Sequence, residues 1–232
     1  MKKLAVITAR GGSKRIPHKN IKDFCGRPIL AYSIEAALKS GVFDTVMVST
    51  DDKEIARVAE ECGAEVPFFR SGETSGDFAT TAQVLLEVLE EYGKRGQYFD
   101  LFCCIYPTAP FLTAERLREA MELLESSGAD CVHPVVRFGF PPQRCLVMED
   151  GYLKFKWPEY RNTRSQDLEP FYHDVGQFYC LNRASFARQK TTVMEKTIPV
   201  VLSELEIQDI DTEEDWRVAE AKYRLLRGGI VE

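Results

Sequence analysis

Two kinds of apolar run alternate along this chain. Residues 4–9 (LAVITA), 45–50 (TVMVST) and 100–105 (DLFCCI) are short and almost unbroken. Runs without polar–apolar alternation suit strands buried on both faces of a parallel sheet. Between them lie longer stretches with apolar positions three and four apart, which predict amphipathic helices. The first covers residues 28–38 and stops at Gly41; a second, capped by Asp51-Asp52, runs to about Cys62 and ends at Gly63. A third covers 80–94, and a fourth, 114–124, starts behind Thr113. Further strands are expected at 65–69, 131–136, 176–181 and 198–202, with a last helix ending near Arg227. Strand–helix alternation at this spacing predicts an α/β fold with a doubly wound, mostly parallel sheet, in a single domain over residues 1–232.

The rhythm fails between residues 137 and 175. Phe138, Phe140, Pro141, Pro142, Trp157 and Tyr160 mix with charges and show no period. An unperiodic insert of this length is usually functional, and its aromatics are residue types enriched at interface cores.

Composition narrows the class. The chain has 232 residues, 44% hydrophobic and 28% charged, with a formal net charge of -6. That is ordinary for a globular protein, and the negative balance speaks against nucleic acid as a partner. No run approaches the roughly 20 apolar residues that span a bilayer, so no membrane association is expected. The apolar segment after Met1 is too short for a secretory signal and passes straight into Arg10; it is expected to be the first strand. Seven cysteines are scattered without a C-x-x-C spacing, which argues against a zinc site or a disulfide framework and favours a cytoplasmic location.

Against that acidic background, Arg10, Lys14, Arg15, Lys19 and Lys22 fall within thirteen positions that hold no acid. They follow the first strand directly, and Gly11-Gly12 lets the backbone turn sharply and present its N–H groups. Ligands of open α/β sheets bind at that strand end, so a polyphosphate site is expected there. The stretch matches neither G-x-x-x-x-G-K-[ST] nor G-x-G-x-x-G. Near the other end, Asp209 and Asp211 flank Ile210. In an extended segment both carboxylates share one face, and two carboxylates with phosphate oxygens suit Mg²⁺. The same residues also suit a helix start, since Thr212-x-x-Asp215 is close to a capping box.

Arg10-Gly-Gly-Ser-Lys-Arg-Ile-Pro-His-Lys-Asn20 resembles the signature of the cytidylyltransferases that activate sialic-acid-like sugars. Arg164-Ser-Gln-Asp-Leu168 and Tyr172-His-Asp-Val-Gly176 are most similar to the pseudaminic acid type within that family, where sialic acid enzymes more often carry Arg-Pro-Asn-Gly. The resemblance implies a Rossmann-like nucleotidyltransferase fold, CTP and an acidic nine-carbon 2-keto sugar as substrates, and Mg²⁺ as cofactor. It places the nucleotide on Ala9, Arg10, Gly11, Gly12, Ser13, Lys19, Asn20, Arg70, Asp77, Ala79, Thr80 and Thr81. It places the sugar on Tyr106, Thr108, Arg164, Gln166, Tyr172, His173 and Asp174, and the metal on Asp209 and Asp211. Arg10, Lys19 and Asp211 are the expected catalytic groups. The 137–175 insert is implied to mediate a homodimer. Sialic, legionaminic and 3-deoxy-octulosonic acids remain alternative sugars, and a catalytically silent nucleotide-binding module remains an alternative class.

Overall fold

The computed structural model describes residues 1–227. In chain order the strands and helices are β1 (Lys3–Thr8), β2 (Asp23–Phe24), β3 (Arg27–Pro28), α1 (Ile29–Ser40), β4 (Thr45–Ser49), α2 (Lys53–Glu61), α3 (Gly72–Ser75), α4 (Thr81–Lys94) and β5 (Leu101–Ile105). They continue with α5 (Ala114–Ser127), β6 (Cys131–Arg137), β7 (Leu146–Glu149), β8 (Tyr152–Phe155), β9 (Tyr172–Asp174), β10 (Phe178–Asn182), α6 (Arg183–Gln189), β11 (Thr197–Leu202) and α7 (Glu213–Arg227).

The main sheet has seven strands in the order β11-β6-β10-β5-β1-β4, with β9 also paired to β6. β4 and β5 lie parallel to β1 on its two sides. The chain therefore winds one way from β1 through α1 to β4, then returns across β1 to β5. Ligands settle at such a reversal of strand order, outside the carboxyl ends.

Burial follows the pleat. Ala5 and Ile7 of β1, with Leu101, Cys103 and Ile105 of β5, enter one core beside Leu30, Ile34, Leu117 and Met121 of α1 and α5. Leu4, Val6, Phe102 and Cys104 enter the opposite core beside Leu85, Val88 and Tyr92 of α4. That is the two-sided burial the unbroken runs predict. A third cluster joins Ile16 and Phe24, next to β1, with Ile210, Trp216 and Ala219 near the other end of the chain. It docks α7 against the basic loop.

Four features differ from expectation. The strand at 65–69 shrinks to a single bridge between Met47 and Glu65; Pro67 has no N–H to extend the ladder. The strand after Gly176 runs antiparallel to both β5 and β6. The insert is not without structure: β7 and β8 pair as a hairpin around Asp150 and Gly151, both at positive φ (53° and 81°). An Asp-Gly pair is the residue choice for such a turn. At the end of the insert β9 pairs antiparallel with β6, which carries Tyr172, His173 and Asp174 onto the sheet. No helix among the described residues is long and apolar enough to cross a membrane.

Candidate active site

The basic loop is held open by its own backbone. Ala9, fully buried, donates its N–H to the Ser49 carbonyl at 3.0 Å and ties the end of β1 to β4. The Gly11 N–H donates to Asp51 Oδ1 at 2.8 Å. A Cβ on Gly11 would stand 2.9 Å from the Asp52 Cβ, so only glycine fits this approach. The Asn20 amide closes the loop by donating to the Arg10 carbonyl at 2.8 Å. Ile16, 1% exposed, anchors it from below. With the apolar residue turned inward, the cations around it are left in the cleft.

That cleft has a volume of about 330 Å³ and lies between the loop, residues 74–81 and the Tyr106-Pro107-Thr108 turn that follows β5. Arg10, Ser13, Lys14, Arg15, Lys19 and Asn20 line it from one side; Arg70, Asp77, Ala79 and Thr81 line it from the other. Thr80 instead caps α4 in a reciprocal box with Gln83, and Gly12 borders open space. Arg10 reaches Asp77 at 3.0 Å, and Lys14 bonds the other oxygen of that carboxylate. Lys14 first, then Arg10, holds Asp77 below its usual carboxylate range.

Arg70 is only 8% exposed. It donates Nε to Ser49 Oγ at 3.1 Å and Nη2 to the Ser49 carbonyl at 2.7 Å. Burial lowers its pKa, yet no carboxylate forms an ion pair with it among the described residues. Asp51 and Glu87 favour its charge from beyond ion-pair distance, which offsets the cost of burial only in part. An anion in the cleft would relieve it.

The carboxyl-terminal segment joins this site through its buried residue. With Ile210 in the third core cluster, Asp211 comes within 2.8 Å of Arg15 Nη2 and 3.6 Å of Lys19 Nζ. Lys19 also donates to the Ile210 carbonyl at 2.7 Å. Thr212 and Asp215 cap α7 between themselves: the Asp215 carboxylate accepts from the Thr212 N–H at 2.8 Å, and the Asp215 N–H donates to Thr212 Oγ1 at 3.2 Å. The cap therefore does not use the side chain of Asp209 or Asp211. Asp209 opens instead on a second cavity of about 500 Å³, shared with His173 and Asp174. Among the described residues no three His, Cys, Asp or Glu side chains converge as a metal cage. Of the two carboxylates, Asp211 alone stands beside the loop cations, while Asp209 opens on the other cavity. Carboxylate oxygens are the donor type that Mg²⁺ takes, with substrate and water completing its shell.

The residues expected to hold the sugar divide into three places. Tyr106 and Thr108 line the first cleft; burial raises the Tyr106 pKa, and its hydroxyl lies 3.2 Å from Thr81 Oγ1. His173 and Asp174 line the second cavity with Asp209. Arg164 pairs with Asp167 at 2.7 Å, Gln166 borders a shallow depression beside Phe138, and Tyr172 stands exposed on β9. Phe138, on the edge of that depression, packs on His173 with ring centroids 4.7 Å apart. Sequence reasoning overlooked Lys14 and Arg15 individually, although both lie in the basic stretch it singled out. It also overlooked His133 and Tyr179, which bond the Asp174 carboxylate at 3.2 and 2.7 Å; they sit inside apolar runs and carry no local signal.

Comparison with known proteins identifies the family and the fold. The cytidylyltransferase family profile matches residues 4–207. A pseudaminic acid cytidylyltransferase of Campylobacter jejuni is 38% identical over 226 residues, covering 97% of both chains. A CMP-N,N'-diacetyllegionaminic acid synthase of Legionella pneumophila is 34% identical over 238 residues, covering 100% of both. A solved structure of CMP:2-keto-3-deoxy-manno-octonic acid synthetase complexed with CTP superposes with a TM-score of 0.68 at 17% identity, over 95% of this chain and 98% of that one. On the profile match and the identity to these relatives, the chain belongs to the cytidylyltransferase family.

Proposed function

We propose that this enzyme transfers CMP from CTP to the anomeric hydroxyl of pseudaminic acid and releases pyrophosphate. The observation that carries the nucleotide half is a cleft in which the buried Arg70, with no carboxylate in ion-pair contact, stands across from Arg10, Lys14 and Lys19. The identity to pseudaminic acid cytidylyltransferases supports the choice of sugar, as does the Tyr172-His173-Asp174 segment.

In this reaction the sugar oxygen forms a bond to the α-phosphorus while the bond from that phosphorus to the bridging oxygen breaks. Arg10 and Lys19 stabilise charge on the phosphates. Such stabilisation and positioning carry most of the catalysis in transfers at phosphorus. Asp211 is the acceptor of the hydroxyl proton in this scheme. Asp209 and Asp211 would hold Mg²⁺, which when bound neutralises phosphate charge and orients the leaving group. Asp174 and His173 face the sugar from the second cavity, and Tyr106 and Thr108 lie between the two substrates.

The insert supports a homodimer as the working form. Phe140, Met148, Tyr152 and Leu153 are 92, 75, 74 and 65% exposed, far more apolar surface than one hairpin region carries without a partner. In a dimer Arg164, exposed and paired within its own chain only to Asp167, would be positioned to reach a partner's site. A cytoplasmic setting, where CTP is made, suits the free cysteines.

The test is pyrophosphate release from CTP with Mg²⁺ and a panel of acidic sugars: pseudaminic, N-acetylneuraminic, legionaminic and 3-deoxy-octulosonic acids. Pseudaminic acid should give the highest kcat/KM. Equal values for pseudaminic and N-acetylneuraminic acids would refute the sugar assignment; no release with any sugar would refute the transferase.

A further inference from the structure

The Asp174 carboxylate is held by three groups, two of which come from other strands. Oδ1 accepts from the Gly176 N–H at 2.8 Å and lies 3.2 Å from His133 Nε2 on β6. Oδ2 accepts from the Tyr179 hydroxyl on β10 at 2.7 Å. His133 and Tyr179 are 5% and 3% exposed, and their rings pack 4.6 Å apart. The Asp174 side chain is half exposed and lines the second cavity. It is a carboxylate clamped from behind by three donors and open in front.

The bonding pattern assigns the protons. His133 Nδ1 is buried with no hydrogen-bond partner. A proton there would be stranded, so the ring carries its proton on Nε2, which stands 3.2 Å from Asp174 Oδ1. The Tyr179 hydroxyl has one proton, and that too is spent on Asp174. Burial disfavours the charge on Asp174, but the His133, Gly176 and Tyr179 donors outweigh it and hold the pKa down at about 2. Behind Tyr179 the Tyr106 ring packs edge to face with centroids 5.6 Å apart, and Tyr106 in turn lies 3.2 Å from Thr81 in the nucleotide cleft.

We propose that His133 and Tyr179 are positioning residues that lock Asp174 as an oriented anion for a hydroxyl or amide donor of the acidic sugar. The proposal deepens, and rests on, the CMP-sugar synthase function above. Neither residue touches the substrate. Their effect is to deny Asp174 the rotations that would let it face solvent, so that a sugar donor meets a fixed acceptor. A site built to accept from one substituent discriminates strongly against sugars that do not offer it.

The experiment compares the full-length enzyme with Tyr179→Phe, His133→Phe and His133→Gln in steady-state CMP-sugar formation, varying pseudaminic acid and CTP separately. Tyr179→Phe removes one hydroxyl and keeps the ring. Losing one bond to a charged group should raise the KM for the sugar roughly tenfold while that for CTP stays within about twofold. His133→Phe should act alike, and His133→Gln, which returns an N–H donor near the Nε2 position, should recover most of the loss. A purely structural role would lower thermal stability without separating the two KM values. If the unmodified enzyme forms CMP-pseudaminic acid and both Phe variants keep its sugar KM, the positioning role is overturned and the transferase stands. If the unmodified enzyme forms no CMP-sugar, both are overturned.

Discussion

Lys19 donates its ammonium group to the carbonyl of Ile210 at 2.7 Å, across 191 positions of sequence. That contact, with the ion pairs of Asp211 to Arg15 and Lys19, joins the first loop of the chain to the segment that precedes its last helix. The site is built from both. The loop cations and the Asp211 carboxylate meet because Ile16 and Ile210 are buried in one cluster.

The loop cation nearest the strand end has a direct test. Arg10→Ala should lower turnover roughly 100-fold, the scale of losing one charge-stabilising donor. The side chain is 37% exposed and pairs only with surface groups, so the melting temperature should stay close to that of the parent. Turnover within a few-fold of the parent would remove Arg10 from the mechanism.

Asp209→Asn and Asp211→Asn should each abolish CMP transfer, and excess chelator should do the same to the parent until Mg²⁺ is restored. Thr212→Ala is the control. It breaks the α7 cap at a cost of about 1 kcal/mol and leaves both carboxylates in place. Full activity in chelator would eliminate the metal.

Ile16→Ala tests the docking itself. Truncating a buried isoleucine costs about 2–5 kcal/mol, read from urea unfolding. Because Ile16 has no polar group to offer a substrate, any loss of kcat comes from the displaced cations around it. Undiminished stability would mean that the loop is held by Asn20 and Gly11 alone.

Light scattering should give a mass near twice 26.4 kDa. Met148→Asp with Leu153→Asp, on the exposed hairpin, should shift it toward the monomer and cost activity. Arg164→Ala should weaken pseudaminic and N-acetylneuraminic acids alike, since both carry the carboxylate that a fixed guanidinium would hold. A parent that is monomeric at micromolar concentration contradicts the interface.

Asp174 should leave a mark on stability below neutral pH. Its pKa falls from the ordinary 3.8 to about 2 on folding, so the folded protein binds the proton less readily than the unfolded chain. That contribution is complete above pH 3.8 and is lost as pH falls through about 2. Melting curves between pH 5 and 2, about the span a carboxylate titrates over, should therefore fall more steeply for the parent than for Asp174→Asn. Parallel profiles would mean that the carboxylate is not held as described.

Local pattern carried the layout of this protein and one half of its chemistry. Unbroken apolar runs determined β1, β4 and β5, because a strand covered on both faces has no polar side to show. Caps and stops determined α1, α2, α4 and α5. The density of cations after β1, with Gly11 among them, marked a phosphate site because the chemistry sits in consecutive residues. Tertiary structure decided the rest. Pro67 left the strand beyond Glu65 without a ladder, and the antiparallel run of β10 depends on which neighbours remain unpaired after the parallel strands have assembled. Above all, two partners of Asp174 come from β6 and β10, where His133 and Tyr179 are polar groups within apolar runs. A sequence shows that such residues are buried; only the registry of the strands says what they face.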